Sequence, residues 1–336
     1  MKRVTMQDIA DRIGVSKVTV SKALTGKGDI SESMRQKIIQ VANEIGYLYN
    51  AKGKMLKMDL TYSIGIITSE KFFGQDDYFY VKLYKTLSEE LEKLNYTSMF
   101  NIVTFENEKN LNVPRMLLEQ KIDGVIILGQ LSREYLNKIL ECKFPTIFLD
   151  FYYDNMRVDS IITDNFFGMY ELTNYLIENG HRKIAYVGNL NLTSSIQDRF
   201  LGYYKSILEY QLEFNEDWVI KDRKDNSEWA EMKLPQNMPT AFVCNCDKTA
   251  LKLVEQLTRM GYSVPEDYSV VGFDDSEHAR ISVPNITTVK VDISEMSRVT
   301  AKMIAKKIKN KDRKYGRVLI HGKIVVRDSV KRMNQF

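Results

Sequence analysis

Two short helical patterns separated by a single glycine, in the stretch DIADRIGVSKVTVSKAL (residues 8–24), most constrain how this chain can fold. Apolar residues recur at helical spacing up to Gly14, where the pattern stops and restarts almost at once. Glycine readily adopts the left-handed conformation that ends a helix, so a sharp turn is expected there. The sequence therefore predicts two short helices packed against each other through a tight turn.

The predicted helix ends carry their own capping residues. Thr5 and Asp8 have the spacing of a capping box, Ser16 can cap the second helix, and Ser31 can cap a third. The apolar positions of the three helices form stripes that must be buried together, and these are Ile9, Ala10, Ile13, Val20, Ala23, Leu24, Met34, Ile38, Val41 and Ile45. We therefore predict a small three-helix domain over residues 1–48.

The second helix is expected to leave Lys17, Val18, Ser21 and Lys22 outside this core. The arrangement is typical of a helix-turn-helix module, whose second helix enters the major groove of DNA. Lysine reaches guanine acceptors or phosphates, and valine methyls can meet a thymine methyl. Short hydroxyl side chains suit backbone phosphates, and the candidates are Thr5, Ser16, Thr19, Ser21 and Thr25. The alternative is that the three helices form a small core whose basic face contacts only solvent and does not bind DNA.

Charge is distributed unevenly along the 336 residues. The first 58 residues contain eleven lysines and arginines against five acids, whereas the rest of the chain is nearly neutral. A basic head on a neutral body indicates that the head meets a polyanion such as double-stranded DNA.

Several classes of protein are disfavoured. Apolar runs are too short for a membrane span, and Asp8 and Asp11 stand where a secretory segment would be apolar, so a cytoplasmic protein without membrane association is expected. Cys244 and Cys246 lack partners at metal-ligand spacing and are expected to be buried small side chains. Without a P-loop, GxGxxG or G-x-S-x-G motif, no enzymatic activity, cofactor or metal is expected.

From residue 61 onward, apolar runs alternate with helical patterns. Strands are predicted at 63–68, 98–103, 124–128, 146–150, 183–188, 241–246 and 269–274. Helices are predicted at 78–95, 165–180, 196–211, 247–261 and 293–309. This alternation predicts a doubly wound α/β architecture, and its length favours two lobes.

Two stretches, TMQDIADRIGVSKVTVSKALTG and ISESMRQKIIQVANEIGY, closely resemble the DNA-binding head of LacI-family transcription regulators. The segments ENGHRKIAYVGN, SSIQDRFLGY and VPEDYSVVGFDDSEHA resemble landmarks of the family's body. The resemblance implies an N-terminal all-α helix-turn-helix domain (1–48), a hinge (49–60) and a periplasmic-binding-protein-like body (61–330) of two doubly wound parallel-sheet lobes. The N-lobe would comprise about 61–161 and 291–322, and the C-lobe about 162–290 and 323–330.

The resemblance also implies DNA-contacting positions. Base reading falls on Lys17, Val18 and Lys22, and the hinge would contribute Asn50 and Leu56, the latter as a minor-groove wedge. The family usually has Arg where Lys22 stands, which indicates a different operator sequence. Tyr49 and Gly53 replace the family's frequent Pro and Ala, and this predicts a hinge helix that is reluctant to form without DNA.

Ligands of such sheets bind beyond the carboxyl ends of the strands, where this chain has carboxylates, an arginine and aromatic rings. By resemblance, the effector contacts are Phe73, Asp150, Ser195, Arg199, Cys246 and Asp274. Such residues suit a mono- or oligosaccharide. Cys246 replaces an asparagine of the family, and Trp218, Trp229 and the rings within 72–80 are candidates to compensate.

The resulting hypothesis is an effector-controlled transcription regulator, in the first place a repressor. A homodimer would place two heads on a pseudo-palindromic operator, and a small molecule bound between the lobes would change operator affinity. Two alternatives stay open: a saccharide-binding receptor without a DNA role, and a regulator that responds to a nucleobase corepressor or a phosphoprotein.

Overall fold

The computed structural model describes residues 4–25, 30–45, 60–73 and 78–333. The chain divides into two compact units, one ending at Leu60 and one beginning at Thr61. Apart from Leu60, the predicted hinge lies outside the described residues.

The first unit contains three helices: α1 (Met6–Ile13), α2 (Lys17–Thr25) and α3 (Glu32–Glu44). The capping box is confirmed, since the Thr5 hydroxyl accepts from the Asp8 amide at 3.4 Å and the Asp8 carboxylate accepts from the Thr5 amide at 2.6 Å. Gly14 ends α1 with φ of 77°, as predicted. The Ser16 hydroxyl caps α2 by accepting from the Thr19 amide at 3.1 Å.

The three helices bury one small core. Its fully buried members are Ile9, Ala10, Val20, Ala23, Ile38 and Ala42. Met6, Ile13, Val15, Leu24, Met34 and Val41 are among the partly buried side chains that pack around them. The predicted apolar stripes therefore face one another, and the opposite face of α2 is left to solvent.

The second unit contains twelve strands among the described residues. In chain order they are β1 (Ser63–Ser69), β2 (Thr97–Val103), β3 (Gly124–Leu128), β4 (Thr146–Leu149), β5 (Asp159–Thr163), β6 (Ile184–Val187), β7 (Val219–Ile220), β8 (Ala241–Cys244), β9 (Ser269–Asp274), β10 (Thr287–Lys290), β11 (Arg317–Ile320) and β12 (Lys323–Val325). They form two six-stranded sheets, ordered β11-β5-β4-β3-β1-β2 and β12-β10-β9-β8-β6-β7. Every pairing is parallel except that of β12 with β10.

Helices connect and cover the strands. They are α4 (Tyr78–Lys93), α5 (Phe105–Lys109), α6 (Arg115–Leu118), α7 (Arg133–Leu140), α8 (Asn165–Glu178), α9 (Ser194–Glu209), α10 (Asp247–Arg259), α11 (Glu277–Ile281) and α12 (Ile293–Lys309). The two-lobed α/β prediction is confirmed. The prediction missed β5, β7, β10, β11 and β12, which are two to five residues long and contain at most three consecutive apolar residues. No described helix is both long and apolar enough to cross a membrane.

The chain passes from one sheet to the other three times: between β5 and α8, between β10 and α12, and between β11 and β12. Helix α12 packs against α4 and the first sheet, and α8 packs against α9 and the second. Three connections side by side allow the lobes to rotate about a common hinge while both stay folded.

Gly202 in α9 permits the close approach of α8. A β-carbon at this position would lie 2.1 Å from the Phe166 carbonyl oxygen, which belongs to backbone and cannot yield easily. We therefore expect Gly202→Ala to lower the free energy of unfolding by about 2 kcal/mol, since overpacking outweighs the gain in helix propensity. Urea denaturation measures this loss. Leu201→Ala, at an exposed neighbour, is the control, and equal stability of the two variants would contradict the expectation.

Candidate DNA-binding face and effector cavity

The outer face of α2 presents the predicted base-reading residues. Lys17, Val18 and Lys22 are exposed, with Val18 at 63% of its full accessible area. Thr19 and Ser21 are half-buried. At this exposure the Val18 methyl groups are accessible to another molecule, as the predicted contact with a thymine methyl requires.

Two of the hydroxyl groups predicted to contact phosphates already form hydrogen bonds within the head. The Thr5 hydroxyl donates to the Asp8 carboxylate at 2.6 Å, and the Ser16 hydroxyl lies 2.9 Å from that of Thr19. A phosphate contact by Thr5 would therefore compete with its own helix cap. The Thr25 side chain, Asn50 and Leu56 lie outside the described residues.

A cavity of about 410 Å³ lies in the second unit where the carboxyl ends of the two sheets face each other. Its lining comes from the carboxyl ends of six strands and the segments after them, and includes Phe72, Asp150, Ser195, Arg199, Trp229, Cys246 and Asp274. The volume falls within the usual range for small-molecule sites, and the position is the one expected for a ligand of parallel sheets.

Arg199 is the central polar side chain of this cavity. Helix α9 carries it, and it is 7% exposed. Its Nε donates to Asn165 Oδ1 at 2.8 Å, one Nη to the Asn245 carbonyl at 2.6 Å and the other to Asp274 Oδ1 at 3.1 Å. The guanidinium carbon also lies 3.8 Å from the centre of the Phe273 ring. These contacts fix the orientation of the guanidinium before any ligand arrives.

Two carboxylates at the cavity have a strained backbone. Asp150 has φ of 70° and Asp274 has φ of 109°, values that non-glycine residues rarely adopt. Asp150 Oδ2 accepts from the Tyr80 hydroxyl at 2.7 Å, which joins the end of β4 to α4. Strain of this kind persists where a site holds a side chain in a required direction, so it supports a binding role for both residues.

Each of the two units matches a different family of known proteins. Residues 5–50 match the family of bacterial regulatory proteins known as lacI, and residues 173–330 match a periplasmic binding protein-like domain. The chain therefore combines a lacI-family head with a periplasmic binding protein-like domain. The expected family resemblance and fold class are thereby confirmed.

Curated relatives are similar to this chain along their whole length. The HTH-type transcriptional repressor PurR of Vibrio vulnificus is 28% identical over 98% of this chain and 99% of that protein. The ribose operon repressor of Haemophilus influenzae is 25% identical over 97% and 98%. The lac repressor dimer bound to operator and the anti-inducer ONPF superposes with a TM-score of 0.71 at 23% identity, over 98% of this chain and 100% of that one. The regulator CelR in complex with cellobiose gives a TM-score of 0.69 at 23% identity, over 97% and 100%.

Most of the predicted effector residues lie together. Asp150, Ser195, Arg199, Cys246 and Asp274 all line the cavity. Phe73 lies elsewhere, because its ring packs on Phe100 at 5.1 Å between centroids. Phe72 lines the cavity in its place, against Gly129, where a β-carbon would lie 2.6 Å from the Phe72 ring.

The two tryptophans lie in different environments, and only one of them lines the cavity. Trp218 is fully buried in the core of the second lobe and its indole nitrogen donates to the Asn237 carbonyl at 2.8 Å, so its suggested compensating role at the ligand is wrong. Trp229 lines the cavity, and the guanidinium of Arg223 lies 4.6 Å from its ring centre. Cys244 and Cys246 also differ in their environments. Cys244 is fully buried, whereas Cys246 is half-buried and lines the cavity.

Sequence reasoning overlooked a buried polar network beneath the cavity floor. Asp222 is fully buried and accepts from Thr249 Oγ1 at 2.6 Å, Asn245 Nδ2 at 2.9 Å and Arg223 Nε at 3.0 Å. Burial opposes its ionisation, but attraction to Arg223 and these hydrogen bonds outweigh that effect and lower its pKa. Arg223 also donates to Asn245 Oδ1 at 3.0 Å. The network thus positions Arg223 and, through the Asn245 carbonyl, Arg199.

Asp247, the first residue of α10, lies under the cavity rather than in it. It is fully buried, and it accepts from Thr288 Oγ1 at 2.6 Å and from the Ser276 amide at 2.7 Å. Burial, reinforced by the nearby Asp274 carboxylate, raises its pKa well above the ordinary value. Within the described residues no group of three or more His, Cys, Asp or Glu side chains is arranged to hold a metal ion.

Proposed function

We propose that the protein represses transcription in the cytoplasm by binding a pseudo-palindromic operator as a homodimer, and that a neutral saccharide in the 410 Å³ cavity controls operator affinity. The observation that carries the effector assignment is the convergence of Arg199, Asp150 and Asp274 with Phe72 and Trp229 on one cavity. The exposed face of α2 supports the DNA assignment.

The chemistry of the cavity matches a polyhydroxylated ligand. Carboxylate oxygens accept from hydroxyl groups, the guanidinium donates two parallel hydrogen bonds, and aromatic rings cover apolar ring faces. Because Arg199 and Asp274 already neutralise each other at 3.1 Å, they favour a ligand without net charge.

A thermal-shift screen of sugars and nucleobases, followed by operator binding with each ligand, tests this proposal. A ligand at 100 times its dissociation constant stabilises the folded protein by about 2.7 kcal/mol, which is readily detected. By linkage, a saccharide inducer must bind the low-affinity conformation more tightly and so weaken operator binding. Operator affinity that no stabilising ligand changes would contradict the control mechanism.

A nucleobase corepressor is the second candidate, and Trp229 favours it, since a flat indole in the cavity can stack on a planar base. The same screen separates the two candidates. A stabilising purine that strengthens operator binding would establish the second and exclude the saccharide inducer.

Operator binding is expected to depend on Lys17 through direct base contact. Lys17→Ala should reduce the preference for the operator over random duplex about tenfold, because one specific base contact contributes roughly 1–3 kcal/mol. Fluorescence anisotropy against both duplexes measures this ratio. Lys37→Ala, on α3, is the charge-matched control, and an equal loss in both variants would indicate nonspecific electrostatics.

Affinity is also expected to fall steeply with salt, since lysine–phosphate contacts release counterions from the duplex. A titration between about 50 and 200 mM salt should give a log–log slope of several units, in proportion to the number of phosphates contacted. A flat response would show that phosphate contacts contribute little to binding.

A further inference from the structure

A second, smaller cavity of about 230 Å³ adjoins the effector cavity, and we call it the rim cavity. Its walls come from both lobes: Gln130, Tyr152 and Tyr153 belong to the first, and the segment 191–197 belongs to the second. Leu192 and Thr193 line both cavities. These two residues therefore lie where the two cavities adjoin.

Two tyrosine rings in the rim cavity are fixed by their neighbours. The Tyr152 hydroxyl donates to Asp198 Oδ1 at 2.8 Å, and the guanidinium carbon of Arg317 lies 3.3 Å from its ring centre. The Tyr153 hydroxyl donates to the Leu131 carbonyl at 3.0 Å, and Arg133 lies 4.7 Å from its ring centre. Rings held in this way provide apolar surface with little loss of side-chain freedom on binding.

Three side-chain amides accompany the rings. Gln130 Nε2 donates to the Tyr153 hydroxyl at 3.0 Å and Gln130 Oε1 accepts from the Ser194 amide at 3.4 Å, so this residue links the two lobes. Gln197 Nε2 donates to the Leu190 carbonyl at 2.8 Å, while its amide oxygen has no hydrogen-bond partner among the described side chains and backbone. Asn191 likewise presents an amide to the cavity. Amides can both donate to and accept from hydroxyl groups.

Few charged side chains line the rim cavity, and each of them contacts a neighbouring side chain. Arg133 stacks on Tyr153, and Asp154 accepts from Arg317 at 2.7 Å. One cation and one anion line the cavity, and neither sign is in excess. This balance disfavours a phosphate or carboxylate group and favours a neutral, hydroxyl-bearing one.

We propose that the rim cavity is a second sugar subsite and that the effector is a disaccharide or longer. The inference rests on the proposed function, since it extends the saccharide in the effector cavity by at least one residue. Leu192 and Thr193 mark the boundary between the two sugar positions, and Gln130 and Gln197 contact the second sugar.

Calorimetric titration of the unmodified full chain tests the subsite. The probes are glucose, mannose, xylose and galactose, each compared with its own β-1,4-linked disaccharide and trisaccharide. In at least one series the oligomers should bind tenfold or more tightly than the monosaccharide. Gln130→Ala and Gln197→Ala should each reduce oligomer affinity about tenfold, with a much smaller effect on the monosaccharide. Asn137→Ala, an exposed amide on α7, is the matched control.

Three results would decide the matter. Tighter binding of oligomers together with selective losses in the two glutamine variants supports the subsite. A monosaccharide that binds as tightly as its oligomers, with both variants unchanged, overturns the subsite and leaves the saccharide effector standing. If neither these sugars nor any sugar of the thermal-shift screen binds while operator affinity is retained, the saccharide effector itself is wrong and the subsite falls with it.

Discussion

Arg199→Met is expected to weaken effector binding at least 100-fold and to abolish the effector response, while operator binding without effector is retained. The guanidinium is a buried charged donor that lines the cavity, and it is held by Asn165, Asn245 and Asp274. Hydrogen bonds to a charged group contribute about 1.5–3 kcal/mol each, so two lost contacts suffice for this effect. Calorimetry with the effector and anisotropy with operator DNA measure the two properties separately.

Two further variants sharpen this prediction. Arg199→Lys keeps the charge but not the planar pair of donors, and it should bind with intermediate affinity if geometry as well as charge is recognised. Arg259→Met, at an exposed position in the last turn of α10, controls for the loss of an arginine. Effector affinity of Arg199→Met within threefold of the unmodified protein would show that the ligand binds elsewhere.

Asp222→Ala is expected to destabilise the second unit by about 3–5 kcal/mol, because it leaves the largely buried Arg223 without its nearest carboxylate. The change also removes the acceptor of Thr249 and of the Asn245 side-chain amide. Both tryptophans, Trp218 and Trp229, lie in this unit, so intrinsic fluorescence during urea denaturation reports its unfolding. The exposed Asp217→Ala is the control and should change stability little.

The pH dependence of the same pair gives a second check. Since the pKa of Asp222 is lowered in the folded protein, its contribution to stability is present above its unfolded value of about 3.9 and is lost as pH falls through the folded value. The stability difference between the unmodified protein and Asp222→Ala should therefore be constant near neutrality and shrink in acid below about pH 4. A difference that stays constant into strong acid would mean that the ionised carboxylate is not the stabilising group.

Local signals in the sequence were sufficient to predict the head. Thr5, Asp8, Gly14 and Ser16 act on backbone groups within three or four residues of themselves, so their roles can be read without the tertiary structure. The longer buried strands were also predictable, because a continuous apolar run such as Gly124–Leu128 has few other stable locations.

The effector cavity was predictable only in part. Strand ends and family resemblance indicated Arg199 and Asp274, but their hydrogen bonds to each other, to Asn165 and to Asn245 join residues 34 to 75 positions apart. Asp222 follows a two-residue strand that carries almost no periodic signal. Phe72 lines the cavity where Phe73 was predicted, which is an error of one residue in the turn after β1. The sequence pattern alone does not determine which of two adjacent aromatic side chains points into the cavity.

The order of strands in the first sheet affects how this protein is made in the cell. Strand β11 pairs with β5 but is synthesised some 150 residues later, after the whole second sheet except β12. At about 5–20 residues per second, the outer edge of β5 stays open on the ribosome for roughly 8–30 seconds. An unpaired strand edge can pair with other chains and so promote aggregation. During this interval the nascent protein therefore depends most on a ribosome-associated chaperone.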